Sequence, residues 1–150
     1  MTTQDIVSGY HRAWTTGDLA TARTLLADNL DFQGAIERFQ NADDLVRALG
    51  GLLQMVAEVR LIAEFFSGDQ AMLLYDVVTP TPAGNIRSAE HFTVKDGRIQ
   101  AIKLVFDATE LRKLMAHYGL AMSDIDLWEL HEAYAVTTLY NQRELQTPWE

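Results

Sequence analysis

Four side chains in this sequence have the type and setting for proton chemistry: Asp76, Glu90, His91 and Tyr10. A protein that moves protons without a metal or cofactor needs a positioned acid or base. It also needs a hydrogen-bond donor where negative charge develops. Asp76 lies in the run Ala71 to Thr79, where Met72, Leu74, Asp76 and Val78 alternate with Ala71, Leu73, Tyr75 and Val77. Both sides of that alternation are apolar, and a carboxylate buried among them is costly unless it is paired or wet. Glu90 shares strand parity with Phe92 and Val94, which predicts that it points inward and that His91 points to the outer face. A bulge in a curved sheet would invert that assignment. Adjacent Glu and His place one titratable group on each face, so each is a candidate base.

Tyr10 and Trp14 stand one helical turn apart, with Tyr10 as a candidate hydroxyl donor and Trp14 as a wall. An aromatic stripe at that spacing also serves as plain core. Apolar lining is expected from Phe32, Met55, Phe65 and Leu74, and from Phe92, Leu104 and Phe106. Asp31, out of parity with Leu30 and Phe32, reads as exposed, as does His11. Asp107 is accounted for by a capping box. No histidines are spaced as in H-E-x-x-H, so a metal site is not expected; no cofactor is expected either.

The elements that must carry these groups follow from periodicity. Ile6, Tyr10, Ala13 and Trp14 predict a helix over 4–15, broken at Gly17. Asp18 caps a second helix that is expected to end near Asp28, followed by a short strand over 29–33. A third helix is expected over 43–53, with Asn41 or Asp43 as its cap. Strands then follow at 56–66, 71–79, 86–95 and 98–106. Pro80 to Asn85 reads as a loop, and Asp96-Gly97 as a tight hairpin turn. Helices first and hairpins after argue for an α+β fold with helices on one face of a bent antiparallel sheet. Beyond it, helices are expected over 108–118 and 123–144, the latter with an apolar stripe that needs a surface to cover. One domain is assigned to 1–118 and a helical extension to 119–150.

The net charge is −9, from 21 acidic and 12 basic residues, and there is no basic run. Electrostatics therefore argue against nucleic acid and anionic membrane surfaces as partners. No apolar run reaches the roughly 20 residues that cross a bilayer. The opening MTTQDIVSGYHRAW lacks a basic region followed by an apolar stretch, so the cytoplasm is the expected location. The absence of cysteine excludes a thiol nucleophile and disulfides.

The stretch GYHRAWTTGDLATARTLLADNLDFQG resembles the opening of SnoaL-like polyketide cyclases, and AEHFTVKDGRIQAIKLVFDATEL resembles their closing hairpin. These belong to the cystatin-like, nuclear-transport-factor-2-like superfamily that also holds ketosteroid isomerase, limonene epoxide hydrolase and scytalone dehydratase. The resemblance spans about residues 4–115. It implies a cone-shaped α+β barrel around a small-molecule pocket and a homodimer formed through the outer sheet face, with the C-terminal helix a further candidate for the interface. Asp76 falls near a catalytic Asp of the epoxide hydrolases, and many relatives carry an Asp at the position of Asp107. The departures are as informative. Gln33-Gly34-Ala35 stands where the isomerases carry an Asp and the cyclases a nearby His. Leu74 and Leu104 stand where the epoxide hydrolases carry an Arg and a second Asp.

Two functional readings remain open. One is a cofactor-free cyclase, isomerase or dehydratase acting on an apolar carbonyl compound, with Asp76 or Glu90 as base and Tyr10 or His91 stabilising the enolate. The other is a binding or assembly module that uses the same pocket without chemistry.

Overall fold

The computed structural model describes residues 1–35, 37–80 and 84–106. Helix α1, Thr3–Thr15, opens with a reciprocal capping box. The Asp5 amide donates to Thr2 Oγ1 (3.1 Å) and the Thr2 amide donates to Asp5 Oδ2 (2.8 Å), which satisfies two donors a helix start leaves free. Gly17, at φ 82°, turns the chain in the left-handed region. Asp18 then caps α2, Leu19–Thr24, its Oδ1 accepting from the Thr21 amide at 3.0 Å.

Strand β1, Leu26–Gln33, begins sooner than the sequence pattern suggests. Leu25 and Leu26 fit the apolar face of a longer helix. Leu26 instead pairs in parallel with Ile99 and is fully buried, while the Ile99 amide donates to the Leu25 carbonyl at 2.9 Å. Sheet pairing ends α2 early. A two-residue strand β2, Arg38–Phe39, follows, and then α3, Ala42–Leu53, capped by Asn41. Four long strands complete the described chain: β3 Glu58–Ser67, β4 Gln70–Val78, β5 Asn85–Lys95 and β6 Arg98–Phe106. Between β5 and β6, Asp96 (φ 53°) and Gly97 (φ 75°) both take the left-handed conformation that a two-residue hairpin turn demands.

The strands form one six-stranded sheet in the order β2-β1-β6-β5-β4-β3, with only the β1–β6 pairing parallel. Register shifts at Leu61/Ala63, at Thr93/Val94 and between Leu26 and Asp31 bend it. The expected barrel is corrected in one respect: the sheet is curved but open, with β2 and β3 as its edges.

Its inner face carries the core, and α1 lies across it against β3, β4, β5 and β6. Ile6, Val7, Tyr10, Ala13 and Trp14 from α1 meet Leu73, Tyr75, Phe92 and Ile102 from the strands. No described helix is long and apolar enough to cross a membrane. The capping box at Asp107, the boundary at 118/119 and the helices expected beyond lie outside the described residues.

Candidate functional site

Strand alternation decides which side chains reach the space under α1. On β4 the inward set is Ala71, Leu73, Tyr75 and Val77, and on β5 it is Ser88, Glu90, Phe92 and Val94; all eight are buried. Glu90 stands in the middle of that face, directly opposite Leu73 on one side and Leu104 on the other. It is only 4% exposed. Tyr75 faces Ser88 across the ladder, which makes it a diagonal neighbour of Glu90 within reach of a long side chain. The Tyr75 hydroxyl donates a hydrogen bond to the Glu90 carboxylate. The other carboxylate oxygen, Oε2, is buried with no partner. Burial raises the Glu90 carboxyl from the ordinary 4.5 to about 7, the Tyr75 bond partly opposing the rise.

Helix α1 supplies the roof. Tyr10 is 1% exposed and sets its ring edge-on to Phe92, with centroids 6.0 Å apart. Burial and the nearby Glu90 charge both push its hydroxyl pKa well above the usual tyrosine value, and the same two influences act on Tyr75. One residue on, His11 is also buried, at 6% exposure. Its ring lies 5.1 Å from that of Tyr75 and 5.5 Å from that of Trp14, and the Trp14 and Tyr75 rings are 6.1 Å apart. Burial lowers the His11 imidazole from 6.5 to about 4, so it is neutral at neutral pH. His11 Nδ1 and Trp14 Nε1 are both buried without a partner.

Three orphaned polar atoms thus occur on three residues joined through the rings and hydroxyl of Tyr75. Buried polar groups in folded proteins are nearly always paired, so three exceptions side by side call for an explanation. The site combines a carboxyl that changes charge near neutrality, two phenols, an indole donor and a neutral imidazole. That set can take a proton from an acidic C–H or O–H and stabilise an oxyanion.

The other sequence candidates are placed differently. Asp76 is on the outer face, directly across from Arg87. The guanidinium grips it with both arms, Nε to Oδ1 at 2.8 Å and Nη2 to Oδ2 at 3.0 Å. These hydrogen bonds from Arg87, more than the charges of Arg87 and Arg60, hold the Asp76 carboxyl below its usual range. Asp76 is therefore no inward carboxylate. His91 is half-buried on the outer face, between Met72 and Lys103. Leu74 shares that outer face. Phe65, opposite Met72, is 65% exposed, and Met55, just past α3, is 55% exposed, so neither lines the interior. Trp14, Phe32 and Phe92 are buried in the core, while Leu104 and Phe106 are half-buried on β6 opposite Glu90 and Ser88. The sequence reading missed His11, Tyr75 and Ser88. For the last two a signal existed, since they share the inward parity of Leu73 and Glu90.

Among the described residues no group of three His, Cys, Asp or Glu could hold a metal ion.

A family model described as a SnoaL-like domain matches residues 7–102. No curated protein matches the sequence. Among solved structures, a protein from Kribbella flavida is 29% identical and superposes with a TM-score of 0.70, covering 77% of this chain and 95% of that one. A putative polyketide cyclase from Sinorhizobium meliloti is 22% identical, with a TM-score of 0.62 over 67% of this chain and 94% of that one. An epoxide hydrolase of M. tuberculosis, described as LEH-like, is 19% identical, with a TM-score of 0.63 over 78% of this chain and 92% of that one. Other matched structures are described as NTF2-like or as having a cystatin-like fold.

Proposed function

Since the chain belongs to the SnoaL-like domain family, we propose that it binds an apolar carbonyl compound under α1 and performs cofactor-free acid–base chemistry on it. One observation carries the reading: Glu90 is buried with one carboxylate oxygen unpartnered, and its pKa is raised to about 7. A base works best when its pKa lies near the working pH. Ionised Glu90 takes the proton next to the substrate carbonyl. The C–H bond breaks, an O–H bond forms on Glu90, and the electron pair moves onto the carbonyl oxygen. The Tyr10 hydroxyl donates to that oxyanion, and Tyr75 keeps Glu90 oriented. Returning the proton to another carbon isomerises the compound; attack of the enolate carbon on a second carbonyl closes a ring.

The fold alone does not carry this reading, because one scaffold hosts many chemistries. The likeness to structures described as a cyclase and an epoxide hydrolase supports a small-molecule site in this hollow.

The test is hydrogen–deuterium exchange of 2-tetralone, an apolar enolisable ketone, followed by proton NMR in D2O. Wild type is expected to exchange the protons next to the carbonyl at least about 100-fold faster than Glu90→Gln, the low end of what a positioned base contributes. Equal rates for the two proteins, or no acceleration by wild type, would overturn the chemistry.

A second reading has its own observation. On the outer face Phe65 and Met72 lie directly opposite one another, and both are exposed, as is Val105. A second copy of the chain is the occupant proposed for this apolar row. Phe65→Lys together with Met72→Lys is expected to halve the mass seen by light scattering, and an unchanged mass would remove this face from the assembly.

A further inference from the structure

The proposed chemistry uses Glu90, Tyr75 and Tyr10 and leaves two orphaned atoms unexplained, His11 Nδ1 and Trp14 Nε1. Both side chains project from α1, one helical turn apart, and their rings meet edge to face at 88° with centroids 5.5 Å apart. Each is at least nine-tenths buried, with His11 6% and Trp14 2% exposed. Leaving a buried donor or acceptor without a partner is costly, and here two such atoms sit on one helical turn. Neither atom satisfies the other. Their common neighbour is the Tyr75 ring, at 5.1 Å from His11 and 6.1 Å from Trp14, so both lie beside the residue that holds Glu90.

The chemistry of the two atoms narrows what could pair with both. An indole N–H donates and never accepts. A neutral imidazole offers one donor nitrogen and one acceptor. An anion is disfavoured, because the buried charged and polar residues among those described are His11, Ser88 and Glu90, with no Lys or Arg to balance it. An ammonium group would meet the indole N–H head on. With the imidazole proton on Nε2, Nδ1 accepts; a group that accepts from Trp14 and donates to His11 then satisfies both, and a hydroxyl is the smallest neutral group that does so.

We propose that His11 and Trp14 form a second binding subsite that takes a neutral hydroxyl group of the ligand, with the indole donating to it and His11 Nδ1 accepting from it. The ligand is then a hydroxylated carbonyl compound, anchored on the helix side by its hydroxyl and presented on the strand side to Glu90. This rests on the ligand-binding reading given above.

Two probe pairs differing only in hydroxyl against methyl test it: phenol with toluene, and 2-naphthol with 2-methylnaphthalene. Binding is followed by proton–nitrogen NMR of the three tryptophan indoles, with Trp14→Phe identifying the Trp14 signal. In wild type, at least one hydroxylated probe is expected to bind about 10-fold or more tightly than its methyl partner, as one well-made hydrogen bond allows. It should also move the Trp14 indole proton downfield. His11→Phe should bring the ratio close to one while still binding the methyl probes, which also reports that the variant is folded. Glu90→Gln should keep the ratio.

A ratio near one in wild type, a ratio that survives His11→Phe, or an unmoved Trp14 signal overturns the subsite. If Glu90→Gln abolishes the ratio and His11→Phe does not, the hydroxyl sits on the carboxyl; the subsite falls while the Glu90 site stands. If no probe binds, the subsite and the ligand-binding reading fall together. If the ratio behaves as expected but 2-tetralone shows no exchange, the subsite stands and the chemistry falls.

Discussion

Two carboxylates on neighbouring strands, Glu90 on β5 and Asp76 on β4, differ by little more than the face they point to. Asp76 faces outward, with Arg87 directly opposite and a two-armed hydrogen bond that keeps it ionised below the usual range. Glu90 faces inward, with leucines opposite on both sides, a phenol as its hydrogen-bond donor and a pKa pushed to about 7. Each lies mid-strand, yet one is an outer-face ion pair and the other a group poised to change charge. The partner that strand pairing supplies, more than the residue type, sets the chemistry. An arginine across the ladder removes a carboxylate from proton transfer; two leucines and a tyrosine prepare it.

Swapping each to its amide should give the largest contrast. Glu90→Gln is expected to lose at least about 100-fold in 2-tetralone exchange, whereas Asp76→Asn should stay within about twofold of wild type. Comparable losses in both would erase the distinction.

The pH dependence of stability comes next. Between pH 4.5 and about 7, folded Glu90 holds a proton that the unfolded chain releases, so its contribution to stability is full below 4.5 and is lost as pH rises to about 7. The shift corresponds to roughly 3 kcal/mol, and Glu90→Gln should remove that decline in urea unfolding monitored by circular dichroism. His11 works in the opposite sense. Its pKa is lowered from 6.5 to about 4, so its contribution is present above 6.5 and is lost as pH falls to about 4. His11→Phe should therefore lessen destabilisation on the acid side of pH 6.5 and leave the Glu90 decline in place. A Glu90→Gln variant with the wild-type slope would contradict the inward, solvent-excluded carboxyl.

Tyr75→Phe sharpens the contrast at smaller scale. It removes the hydrogen bond that holds the Glu90 pKa down, so that pKa should rise further, with a stability loss of about 1–3 kcal/mol. The smallest effect belongs to the outer pair, whose Arg87 is open to solvent while Asp76 is half-buried: Asp76→Asn should cost about 1 kcal/mol.

Much of this was legible in the chain. The alternation of Glu90 with Phe92 and Val94 places the carboxyl inward, and Asp96-Gly97 marks the β5–β6 turn. The partner of Asp76, Arg87, is 11 residues away, across a loop whose path periodicity does not reveal. Without the β4–β5 register, no cation could be assigned to it. His11 was misjudged because a single apolar stripe was expected on α1. A helix laid into the hollow of a bent sheet buries a broader arc, and His11 falls within it. Phe65 follows from β3, where the shift at Leu61/Ala63 resets which side chains face out. Leu26 fits a helix face and a buried strand equally well, and only Ile99, far along the chain, decides between them.

The most direct test is a carbon-13 NMR titration of the glutamate side-chain carboxyls, with Glu90→Gln identifying the Glu90 resonance. A carboxyl walled in by Leu73, Leu104 and Tyr75 is expected to titrate near pH 7. A Glu90 resonance that titrates near the ordinary 4.5 would contradict its burial and its proposed role as the base.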